Sequence, residues 1–211
     1  MRIRKYNYVA QIHNKAKHFS LTAFDRTHRI CAPVFWALYI RVKKVPESYL
    51  KKNVYLEAWN AKWKKIYKSE KQKLERLIGN NCIEIQHIGS TSVKGIKAKP
   101  IVDILVVVES ISKVDHLDFN GYEVKGENGI SGRRYFQKDK NGKRLLHIHI
   151  YEKNHAAINS HILFRDSLKA NKKLAKEYEN LKIKLAIKFS GDKVSYTNAK
   201  AEFISNIINS V

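Results

Sequence analysis

Residues 101–108, IVDILVVV, constrain this chain more than any other stretch. Apart from one aspartate the run is continuous apolar sequence rich in β-branched residues. It reads as a strand buried on both faces, at the centre of a sheet rather than at its edge. Asp103 is the exception that needs a reason. Desolvating a carboxylate costs several kcal/mol, so it must sit at the strand's exposed end beside a cation or pair with a basic side chain. Lys97 and Lys99 lie just before it and are the structural alternative to metal or phosphate chemistry.

The surrounding pattern says what covers such a strand. Residues 56–78 carry Trp59, Trp63, Ile66, Leu74, Leu77 and Ile78 at helical spacing, and Gly79-Asn80-Asn81 ends that helix. Residues 83–88 alternate as a strand, and a loop over 89–99 leads into the central run. A short helix over 110–117 follows, then strands over 122–124, 133–137 and 145–151, with a hairpin turn at 139–142 (DKNG). A long helix is predicted over 162–189, a break at Gly191-Asp192, and a last helix over 196–208. The expected fold is α+β, a mixed β-sheet with packed helices. Residues 1–53 show no sustained period and are expected to form a poorly ordered, irregular basic extension, leaving 54–211 as the domain.

Charge narrows the function classes less than its size suggests. The formal net charge is +22, and residues 1–53 hold 12 Lys/Arg against 2 Asp/Glu. Elsewhere the lysines spread along amphipathic helices as a solvated face. A nucleic-acid partner is therefore the weaker expectation, and no helix-turn-helix, zinc or RNA-binding aromatic motif supports one. No apolar run approaches the roughly 18–20 residues of a membrane span. Cys31 and Cys82 are read as free thiols, not a disulfide framework. A cytoplasmic protein is expected.

The chemistry-bearing residues flank the central strand. Gly89 at a strand end permits close backbone approach, and Ser90 and Thr91 present hydroxyl and N–H groups to an anion. Asp103 follows 13 residues after Ser90. In HIHI, His147 and His149 are two apart, so both imidazoles share one strand face. Beside Asp103 they would complete a metal site or supply a general base; the alternative is a pair of strand histidines bonded to neighbours. Lys99, Arg134 (after a glycine-rich loop), and Tyr196 with Lys200 four residues on would serve a phosphate or acidic ligand.

The segment HIGSTSVKGIKAKPIVDILVVV, with RLLHIHIYE, FRDSLKANKKLAKEYENLKIKLA and the ending YTNAKAEFI, resembles the GrpB family over about residues 54–211. That family is grouped with the nucleotidyltransferases, whose fold is that of the polymerase beta catalytic core. The resemblance implies a glycine-serine turn at Gly89-Ser90 and a first catalytic carboxylate at Asp103. It also implies a nucleoside triphosphate substrate and a divalent ion, Mg or Mn and by the imidazoles Zn. The superfamily's second carboxylate would fall at position 105, which is Leu105. Two readings stay open: metal-dependent nucleotidyl transfer to an acceptor, with Asp103, His147 and His149 as catalytic and metal residues, or a degenerate relative that binds a nucleotide or anion without turnover.

Overall fold

A computed structural model describes residues 54–210. The predicted extension 1–53 lies outside the described residues. The chain runs through α1 (Ala61–Ile78), β1 (Cys82–Ile88), β2 (Val102–Val108), β3 (Glu123–Val124), β4 (Arg134–Lys140), β5 (Lys143–Glu152), α2 (Ala156–Ala170), α3 (Lys172–Lys188), α4 (Lys193–Asn198) and α5 (Ala201–Asn209).

The five strands form one mixed sheet in the order β1-β2-β5-β4-β3. β2 and β5 run parallel and the other pairs antiparallel. The predicted central strand is thus confirmed as β2, and the architecture is the expected α+β. Alternation decides which side chains meet which layer. Ile104, Val106 and Val108 face α1 together with Ile148 and Ile150, in the main core with Trp63, Leu74 and Ile78. The opposite face carries Asp103, Leu105 and Val107 from β2 and His147, His149 and Tyr151 from β5.

Local chemistry starts and stops the elements. Asn60 caps α1, its side chain accepting from Lys62 N–H at 2.9 Å. The predicted long helix over 162–189 is two helices. Asn171 has extended backbone and its Oδ1 accepts from Leu174 N–H at 3.0 Å, so it ends α2 and caps α3. The apolar stripe continues across this break, which is why periodicity alone joins the two. The last predicted helix likewise divides, at Ala199-Lys200, into α4 and α5. Helices α2, α3 and α5 pack through Phe164, Leu168, Tyr178 and Ile207, and Val93 and Ile96 from the loop before β2 join that cluster. Buried Glu179 on α3 accepts from the Lys97 N–H at 2.7 Å, fixing the loop against the helices.

Candidate functional site

The end of β1 turns sharply into a short 3-10 turn over Ser90–Ser92. Gly89 makes this possible with φ 66 and ψ −174, a region open essentially to glycine. A Cβ built there would lie 2.5 Å from Asp103 Oδ2. The close approach expected of this glycine is therefore made first to the Asp103 carboxylate.

Parallel pairing sets Asp103 directly beside His147 and Leu105 beside His149. Asp103 Oδ1 accepts from His147 Nδ1 at 3.0 Å, and His149 Nε2 faces the same oxygen at 3.8 Å. Because the carboxylate accepts, the His147 nitrogen that faces it, Nδ1, is the one that carries a proton. Burial by itself would raise the Asp103 pKa, but the two imidazoles outweigh it and hold the group well below the usual carboxylate range. His149 is lowered by its own burial, opposed by Asp103 and reinforced by the nearby Arg133 guanidinium. Leu105, completely buried, packs with Ile88, Val107, Tyr151 and Ile158 beneath the site.

One cavity of about 590 Å³ joins these groups to a cluster of lysines. Gly89, Ser90, Thr91, Lys99, Asp103, His147, His149, Tyr196 and Lys200, all expected site residues, line it. Lys99 and Lys200 hold their ammonium groups 4.9 and 4.6 Å from the Tyr196 ring centre, a cation–π arrangement. Burial lowers both, Lys200 to about 8. Thr91 is more tied down than expected. Its Oγ1 pairs with His87 Nε2 at 2.9 Å and its carbonyl accepts from Trp59 Nε1 at 3.1 Å. His87 itself lies on the α1 face, stacked on Tyr67, as a packing residue.

Arg134, also an expected ligand residue, lies apart from the others. Its guanidinium donates to both oxygens of Asp115, at 2.5 and 2.7 Å, and is absent from the cavity lining. Period-two alternation explains this: Tyr135 takes the cavity face, so Arg134 turns to the other. Its neighbour Arg133, only 5% exposed and likewise absent from the cavity lining, stands behind His149, with Nη1 3.3 Å from His149 Nδ1.

Sequence reasoning missed Lys182, His161, Tyr135 and Tyr178, which also line the cavity. Lys182 is 2% exposed, lies 4.8 Å from the Tyr178 ring centre and donates to the Lys97 carbonyl. Burial brings its pKa down to about 7, with Lys200 adding to the effect. A signal existed: Lys182 interrupts the apolar stripe of α3, four residues after Tyr178 and three before Leu185. His161 on α2 meets the Tyr151 hydroxyl at 3.2 Å, and burial lowers it to about 4.

The residues do not fit a metal held by Asp103, His147 and His149 together. Both imidazoles turn a ring nitrogen to the same carboxylate oxygen. Among the described residues no group of three or more His, Cys, Asp or Glu is arranged to hold an ion.

The family profile described as GrpB protein matches residues 53–210. The chain belongs to the GrpB family. It is 46% identical over 160 residues to UPF0157 protein YqkA of Bacillus subtilis, covering 74% of this chain but 46% of that protein, so it spans under half of YqkA. It is 42% identical to the glutamate-rich protein GrpB of Alkalihalophilus pseudofirmus, covering 75% of this chain and 96% of that one. The crystal structure of conserved protein GrpB from Enterococcus faecalis overlays with a TM-score of 0.70 at 38% identity, over 74% of this chain and 96% of that chain. Cid1 in complex with its short product ApU overlays at TM-score 0.42 and 18% identity, over 64% of this chain and 43% of Cid1. Among the described residues no helix is long and apolar enough to cross a membrane.

Proposed function

We propose that this cavity binds the triphosphate of a nucleotide and transfers its nucleotidyl group to an acceptor hydroxyl, releasing pyrophosphate. The observation that carries the reading is a single cavity joining a glycine-serine turn, a carboxylate-oriented imidazole and three lysines, Lys182 buried and Lys99 and Lys200 half-buried. Lys99, Lys182 and Lys200 neutralise the phosphate charge from one end. Ser90 and the backbone after Gly89 offer hydrogen bonds at the turn. Asp103 orients His147, whose free Nε2 takes the proton of the attacking hydroxyl as general base. His149 stands as the second donor beside Asp103, and Tyr196 seats two of the lysines. A magnesium ion bound with the triphosphate on Asp103 would supply charge neutralisation at the transferring phosphorus. The cytoplasm, where nucleoside triphosphates and Mg²⁺ are available, is the proposed location.

The second reading, binding without turnover, draws on Leu105, since the position where a second carboxylate is expected is sealed in an apolar cluster. Pyrophosphate release from each of the four ribonucleoside triphosphates, with Mg²⁺ or Mn²⁺ and a panel of hydroxyl acceptors, separates the two. Release that is lost in His147→Gln and Asp103→Asn supports transfer. Tight nucleotide binding with no release under any condition selects the second reading.

A further inference from the structure

We propose that Arg133 is a positioning residue that fixes the tautomer of His149 and so divides the roles of the two histidines, leaving His147 alone free to accept a proton. Its kinetic consequence rests on the transfer reading above; its structural claim does not.

A guanidinium has five N–H donors and no acceptor. With Arg133 Nη1 at 3.3 Å from His149 Nδ1, that nitrogen can only be the acceptor. The His149 proton therefore resides on Nε2, the nitrogen facing Asp103 Oδ1 at 3.8 Å. His147 presents its Nδ1 to the same oxygen, so its proton is on Nδ1 and its lone pair on Nε2. Two histidines on one face of one strand thus hold opposite tautomers. The single lone pair of His149 is engaged by Arg133, whereas that of His147 is directed elsewhere.

The loop before β4 is shaped to hold this arginine still. Gly126, Asn128, Gly129 and Gly132 all take positive φ, between 44 and 84 degrees, turning the backbone back on itself. The turns bring the Glu127 carbonyl to Arg133 Nε at 3.0 Å and the Asn128 carbonyl to Nη2 at 2.5 Å. The guanidinium carbon lies 4.7 Å from the Tyr135 ring centre. Gly132 is also pressed against His155, whose Nε2 meets the Ser131 carbonyl at 2.9 Å. Two carbonyls and an aromatic face hold the guanidinium in place, with Nη1 turned to His149 and the Tyr151 hydroxyl also within hydrogen-bonding reach.

The test is ¹⁵N NMR of the full chain labelled at histidine, with single His→Gln variants to assign the rings. The expected result is an unprotonated Nδ1 and protonated Nε2 at His149, and the reverse at His147. Arg133→Met should release the His149 tautomer. Arg133→Lys, which retains a donor-only cation, should keep it. Arg133→Gln, whose amide accepts as well as donates, should give a mixture and serves where the methionine variant does not fold. In turnover, Arg133→Met should lower kcat for pyrophosphate release about 10- to 100-fold with KM for the nucleotide unchanged, and Arg133→Lys should recover most of it. A wild-type His149 protonated on Nδ1 would overturn the proposal, as would a folded Arg133→Met or Arg133→Gln protein whose ring tautomers match wild type. A wild type that releases no pyrophosphate counts against the transfer reading, while the NMR result still decides the role of Arg133.

Discussion

Glu70 and Asp103 are both acidic side chains turned inward, and their surroundings are opposite in kind. Glu70 on α1 is only 3% exposed and accepts from the Tyr122 hydroxyl, from Lys138 at 2.9 Å and from Lys73 at 3.4 Å. Burial would raise its pKa, but these donors together keep it below the usual range. Lysines end on Glu70, so the charge there is locally matched. Asp103 is answered by two imidazoles instead, while Lys99, Lys182 and Lys200 lie across the same cavity without ending on it. Each region lines a cavity, of about 480 Å³ beside Glu70 and about 590 Å³ beside Asp103. What separates them is where the cations go. A matched carboxylate holds structure together; a cluster of incompletely matched lysines, one buried and two half-buried, is prepared for an anion from outside.

The contrast breaks first at Glu70. Glu70→Leu leaves Tyr122 and Lys138 without their acceptor, and chemical denaturation should show a loss of about 3 kcal/mol of stability. Nucleotide affinity should not change, because nothing at the Asp103 cavity depends on this carboxylate. If the variant loses nucleotide binding while still folded, the two regions are not independent.

Gly89→Ala comes next. The new Cβ would collide with Asp103 Oδ2 on a backbone with φ 66, so unfolding free energy should fall by about 2 kcal/mol. Here, unlike at Glu70, nucleotide binding and turnover should fall with it, since the carboxylate must move.

Charge state gives the finest contrast. An anion prefers the ammonium form of a lysine. Free Lys182 loses its proton near pH 7 and Lys200 near pH 8, so each must recapture one to bind an anion above those values. Tripolyphosphate affinity should therefore weaken as pH rises from about 6.5 to 8.5, by about tenfold for each pH unit above a lysine's pKa. Calorimetric titration at the two pH values checks it. In Lys182→Met the part of the slope nearest pH 7 should disappear.

Much of this was legible from residues alone, for identifiable reasons. A β-branched run with one aspartate can hardly be anything but a buried strand with a purpose. The spacing of His147 and His149 fixed a shared face, and the glycine before Ser90 signalled a close approach. What escaped depended on pairing distant in sequence or on a one-residue difference of face. Arg134 and Arg133 are indistinguishable in composition, and only the start of β4 decides which one turns toward His149. Lys182 is hidden by its company, since α3 is rich in solvated lysines and just one faces inward. His161 reaches the cavity only because α2 begins at Ala156, earlier than the apolar stripe suggests, after His155 caps it.

The central claim is that nucleotide binds at the lysines beside Asp103. Calorimetric titration of the wild type, Lys182→Met and Glu70→Leu with Mg²⁺ and each nucleoside triphosphate tests it most directly. The wild type and Glu70→Leu should bind, and Lys182→Met should bind tenfold or more weakly. No binding of any triphosphate to the wild type, or binding that survives Lys182→Met and is lost in Glu70→Leu, would contradict it.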